Sequence, residues 1–160
     1  MTMRKIIKKS PFRLLAAALL LTCASVFAQG PMNREFGVGL MLGEPSGATA
    51  KYWTAYDQAL VGSVGLSRFD MTRAGLDYLW HFDAFNSDIV GLYAGPGVAI
   101  GAIQGSSEDR VGARAMLGLN VVPRSTALEL FFEAGPLFTI PDAGGVNTSL
   151  DAAAGIRIYP

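Results

Sequence analysis

Few side chains in this chain could do chemistry. His81 is the single histidine and Cys23 the single cysteine. A serine nucleophile needs its histidine base within hydrogen-bond reach, and the serines on or ending a predicted strand nearby in sequence are Ser63 and Ser67. Glu129 and Glu133 could mimic the two-carboxylate arrangement that cleaves glycosidic bonds. Both lie among nine charges that fall inside patterned segments: Lys51, Arg73, Asp77, Arg110, Arg114, Glu129, Glu133, Asp151 and Arg157. Five are basic and four acidic, and that alternation suits a salt-bridge ladder better than a catalytic dyad. The chain has no Gly-rich phosphate loop, zinc-type spacing or EF-hand pattern, so no metal and no cofactor is expected.

A length of 160 residues bounds the chain to one domain. Its 13 basic and 13 acidic residues balance only in total. Arg4, Lys5, Lys8, Lys9 and Arg13 precede an apolar run from Leu14 to Ala28, ending Val26-Phe27-Ala28. That order predicts a secretory signal peptide over 1–28, cleaved after Ala28, and a mature domain over 29–160. The mature 132 residues then carry 8 basic and 13 acidic groups, the opposite of a nucleic-acid binder. Cys23 leaves with the leader, which removes disulfide and thiolate chemistry. The rival reading, Leu20-Leu21-Thr22-Cys23 as a lipoprotein box, is weakened by Thr22, where such boxes carry Gly, Ala or Ser.

The elements that must position the charges follow from period-two alternation broken by turn-forming clusters. Eight strands are predicted: 35–42, 47–53, 59–67, 72–82, 89–101, 110–121, 127–138 and 149–159. One face of each is apolar throughout, as in Phe36, Val38, Leu40 and Leu42, or Ala74, Leu76, Tyr78, Trp80 and Phe82. The opposite face collects all nine charges and nearly every strand glycine, Gly62 being the exception. A water-soluble sheet would put the apolar face inside and leave a glycine-lined surface uncovering its own backbone. Inverted, the pattern is coherent. The interior of an eight-stranded barrel is just wide enough for side chains, so small residues share it with a few long polar ones. The apolar face then meets lipid, in an all-β, up-and-down, transmembrane barrel of the outer membrane.

Most strand lengths approach the 9–11 residues or so that a tilted spanning strand requires. An interfacial aromatic girdle is expected at the periplasmic rim, from Phe36, Tyr52, Trp53, Trp80, Phe82 and Tyr159. Residues 89–107 carry no charge and would suit a membrane helix, but five glycines and Pro96 within that stretch oppose one.

These residues resemble the small eight-stranded outer-membrane barrels of the OmpA membrane-domain and OmpX kind, and more closely an OmpA-like branch of unknown function. The likeness rests on GVGLMLGEPSGATAKYW at 37–53, LDYLWHF at 76–82, LYAGPG at 92–97, FFEAGP at 131–136 and AAGIRIY at 153–159. The resemblance implies outer-membrane lipid as solvent and insertion by the barrel-assembly machinery. Such barrels usually end on an aromatic residue; here Pro160 follows Tyr159, a departure from the pattern. Some relatives of this shape modify lipids with a serine–histidine pair near the outer leaflet. His81 is expected instead at the periplasmic rim beside Trp80 and Phe82, with Ser63 and Ser67 toward the other rim.

A tight turn centred on Pro123-Arg124 predicts that Arg114 faces Glu133, with Arg157 diagonal to Glu133 and near Glu129. A sealed plug of Arg73, Asp77, Arg114, Glu129, Glu133, Asp151 and Arg157 follows, because buried charges persist only when paired. A narrow polar channel is the functional rival. Outward loops are expected at 43–47, 68–72, 102–109 and 139–148, acidic at Glu44, Asp70, Glu108, Asp109 and Asp142, where an unknown surface ligand could bind. The expected role is structural or interactive, without catalysis. The alternative is a periplasmic lipocalin-like barrel with the apolar face inside, holding a hydrophobic ligand.

Overall fold

The computed structural model describes residues 34–67, 71–103, 109–140 and 145–160. The expected cleavage site at Ala28, Cys23 and the loop acids Asp70, Glu108 and Asp142 lie outside the described residues. Eight strands follow one another in chain order: β1 (Phe36–Gly43), β2 (Ser46–Ala55), β3 (Gln58–Ser67), β4 (Met71–Phe82), β5 (Val90–Ile103), β6 (Asp109–Val121), β7 (Leu128–Thr139) and β8 (Asn147–Ile158). Each pairs antiparallel with its neighbours, and β8 returns to pair with β1, closing the barrel. The alternation that predicts these strands places every end within two residues. Within the stretch that could have read as a helix, Val90–Ile103 form the strand β5, and no helix occurs among the described residues.

Alternation also decides which way the side chains point. Leu40, Leu42 and Leu150 are 67%, 76% and 67% exposed on the outer wall. Lys51, Glu129 and Arg157 are 0% exposed inside it. The apolar face is therefore the outside of the barrel and the charged face its lumen. Glycine makes room for this. A Cβ at Gly118 would come 2.5 Å from the Tyr93 hydroxyl, and one at Gly37 would press on the Tyr159 ring at 2.8 Å. Gly62, alone on the outer face, has nothing within 4 Å of that point.

The β6–β7 register differs from expectation. The chain does not turn tightly at Pro123-Arg124. Thr126 donates back to the Pro123 carbonyl through both its amide (3.3 Å) and its hydroxyl (2.8 Å), and Ser125 takes a positive φ of 60°. Val122 still pairs with Ile89, and Ala127 with Tyr159. This wider turn slides β7, so Arg114 stands opposite Leu137 and Glu133 opposite Gly118. The β7–β8 register sets Glu129 directly against Arg157.

Candidate functional site: the charged lumen

Two polar groups occupy the lumen, one toward each end. The lower one is built on Glu129, held on β7 with its side chain fully buried. Lys51, from β2, donates to Glu129 Oε1 at 2.8 Å and to His81 Nε2 at 2.9 Å. The Tyr159 hydroxyl donates to Glu129 Oε2, and Trp53 Nε1 donates to that hydroxyl at 3.3 Å. Arg157 Nη1 lies 3.5 Å from Glu129 Oε1. Its remaining nitrogens donate to Thr49 Oγ1 at 3.3 and 3.1 Å, and its guanidinium sits 3.7 Å from the Phe131 ring centroid. The ammonium of Lys51 is further covered by the Trp53 ring at 4.2 Å and the Tyr93 ring at 5.5 Å. Each charge here has an opposite charge or a ring face against it, the condition under which burial is tolerated.

The upper group is a ladder of alternating sign. Arg114 grips Asp77 through two bonds, Nε at 2.6 Å and Nη2 at 2.5 Å, a fork that only a guanidinium makes. Arg114 Nη2 also donates to Ser63 at 3.3 Å, and Nη1 lies 3.8 Å from Asp151. Arg73 donates to Asp151 at 2.9 Å and stands 3.6 Å from Glu44. Between the groups, Glu133 accepts from the Tyr93 hydroxyl at 2.9 Å.

Of the nine charges singled out above, eight are buried in this lumen. Arg110 is on β6 opposite Gly101, but its side chain lies outside the described residues. Several placements differ from expectation. Arg114 pairs with Asp77 and Asp151 rather than Glu133, because of the wider β6–β7 turn. Glu133 stands four register positions from Arg157's partner Glu129 and takes a tyrosine instead. His81 lies one residue from the end of β4, as expected, but its side chain is buried inside the barrel. It shares the inward parity of Arg73 and Asp77, and the ladder continues past it to Phe82 opposite Leu92. Its ring lies 4.3 Å from that of Trp53 and 5.2 Å from that of Tyr93.

Among the aromatics expected to form a girdle, Phe36, Tyr52 and Trp80 are exposed on the outer wall and Phe82 is half-buried. Trp53 and Tyr159 are not part of that ring: both carry inward parity and pack together inside the lumen. Glu44 is not a surface acid either. It is 5% exposed, its amide bonds the Ala152 carbonyl at 2.9 Å, and the β1–β2 turn tucks its carboxylate toward Arg73. Inward parity alone would have found Thr49, Tyr93 and Phe131. Glu44 sits in a turn, where parity gives no direction.

No protein-family profile, curated protein or solved structure matches the chain.

Proposed function

We propose that this chain is an integral β-barrel protein of the outer membrane, exported through a cleaved signal peptide, with a closed salt-bridged lumen and a structural or surface-interaction role. One observation carries the reading: a barrel whose outer wall is apolar around its circumference while the eight described strand charges are inside. Water-soluble monomers rarely expose contiguous apolar patches above a few hundred Å² or so, and here Val38, Leu40, Val64, Leu76, Val98, Val111, Leu117, Phe132 and Ile158 are all exposed on strand faces. Lipid is the solvent that suits such a wall, and a closed ladder is what hydrocarbon demands of a backbone. Strands of 8–14 residues bracket the span required.

A lipocalin-like ligand barrel would need the reverse lining, and the fully buried Lys51, Glu129 and Arg157 occupy the space its ligand would fill. The complementary ion pairs likewise support a plug over a channel. A lipid-modifying activity finds no support in the site, since His81 Nε2 is engaged by Lys51 and Ser63 accepts from Arg114. The partners that follow are outer-membrane lipid and the barrel-assembly machinery, with any surface ligand met by the outward loops. Cell fractionation tests the reading. The protein should sediment with outer membranes, resist urea extraction and migrate differently on a gel before and after boiling. Recovery in the soluble periplasmic fraction without detergent would overturn it.

A further inference from the structure

Two of the eight ladders are interrupted in their interior, both at the same sequence element. Between β4 and β5 the pairing runs to Asp77–Gly97 and resumes at Trp80–Ala94. Between β6 and β7 it runs to Arg114–Leu137 and resumes at Leu117–Ala134. The unpaired positions are Gly95-Pro96 and Gly135-Pro136, each preceded by a paired alanine in the same Ala-Gly-Pro sequence. Proline has no amide hydrogen to give the facing strand, so the register leaves Tyr78 opposite Pro96 and Ala115 opposite Pro136 without that donor. The other six ladders have no interior gap, apart from a shift near the end of β2–β3.

The two gaps lie at one level. Pro96 pairs with Ala115 across the unbroken β5–β6 ladder, and Ala115 is the residue that Pro136 should bond. The β5–β6 hairpin is thus internally continuous and weakened along both flanks at the same height. One register step away, a single side chain spans both flanks. Arg114, on β6, reaches over Gly97 to Asp77 on β4, and its other nitrogen points over β7 toward Asp151 on β8. Gly97 permits the first crossing, because a Cβ there would come 2.8 Å from the Asp77 carboxyl carbon.

We propose that β5–β6 is a panel that opens locally from the barrel wall along these two proline-interrupted seams, and that Arg114 is the latch that keeps it shut. Local opening of this kind has its own free energy, separate from global unfolding. Amide hydrogen exchange on the folded full-length mature protein in detergent micelles tests it. The seam amides of Tyr78 and Ala115 should exchange faster than those of Ala50 and Val64 in the uninterrupted β2–β3 ladder. Arg114→Lys, which keeps the charge but loses the fork, should accelerate exchange at both seams by about tenfold, as expected for losing charge-assisted bonds, and leave the β2–β3 amides unchanged. The double variant Pro96→Ala/Pro136→Ala restores two donors and should slow the seam amides by about fivefold, the effect of one added ladder bond per seam. If Arg114→Lys does not fold, the proline variant alone decides. Equal exchange at the seams and in β2–β3, acceleration spread evenly over all strands, or no slowing in the proline variant would overturn the proposal.

Discussion

Glu129 and Glu133 sit one helical-looking interval apart in sequence and both point into the lumen, yet their removal should have unequal consequences. Glu129 accepts from Lys51 at 2.8 Å and from Tyr159, and lies 3.5 Å from Arg157. In Glu129→Ala the fully buried ammonium of Lys51 keeps only a histidine nitrogen and ring faces, and Arg157 keeps a threonine hydroxyl and a phenyl ring. Removing one member of a buried ion pair costs about 3–5 kcal/mol, because the survivor stays desolvated. Glu133 has a tyrosine hydroxyl at 2.9 Å as its hydrogen-bond partner. Its loss should cost about 1.5–3 kcal/mol, the range for one bond to a charged group. Urea unfolding in lipid vesicles or detergent, followed by tryptophan fluorescence and by the folded fraction on an unboiled gel, measures both. The double variant Lys51→Met/Glu129→Met should be more stable than Glu129→Ala, since no unpaired ammonium remains. A Glu133→Ala cost equal to or above that of Glu129→Ala would refute the pairing. It would restore the arrangement in which Glu133 serves Arg114 and Arg157.

Three further outcomes are expected. The chain's two tryptophans face opposite ways, Trp53 at 6% and Trp80 at 39% exposure; in vesicles of brominated lipid, a variant retaining only Trp80 should be strongly quenched and one retaining only Trp53 should not. Equal quenching of both would contradict the proposal that the apolar wall faces lipid. Gly62→Ala should be neutral or stabilising by about 0.5–1 kcal/mol, given open space and the entropy that glycine loses on folding, whereas Gly118→Ala should lower the urea midpoint by displacing Tyr93. Asp77→Asn should weaken the barrel by about 3–5 kcal/mol in the same unfolding assay, because Arg114 loses its charged fork partner in a buried site; an unchanged midpoint would show that the upper ladder is not structural.

How much of this was legible in the sequence varies with the physics involved. Strand positions and the two faces follow from period two, which each strand enforces locally, and the Gly-for-large exchange on the inner face marks a crowded lumen. Which charge meets which is another matter. Pairing across the lumen depends on hairpin register, and register depends on turns. The turn at Pro123–Thr126 holds more residues than its Pro-Arg pair suggests, which moves Glu133 from Arg114 to Gly118. Rim and lumen are also hard to separate at strand ends. Trp53, His81 and Tyr159 carry inward parity near strand ends, and it is their burial in the folded barrel that makes them interior. Glu44 was hidden for a different reason, because a turn has no alternation to read.

The span of the lumen contacts has a bearing on how the barrel is made. Lys51–Glu129 and Arg73–Asp151 join residues 78 apart in sequence, and Arg157–Thr49 residues 108 apart. Every hairpin can zip from its own turn, but these pairs tie β2 and β4 to β7 and β8. They can form only when the chain's two ends have met along β1 and β8. Until that moment each of these charges faces an open trough and keeps its water. Closure would then bring desolvation and pairing together, each ion left unpaired inside costing several kcal/mol or so. A cylinder joined out of register would enclose ions without their partners, a penalty that the observed register avoids.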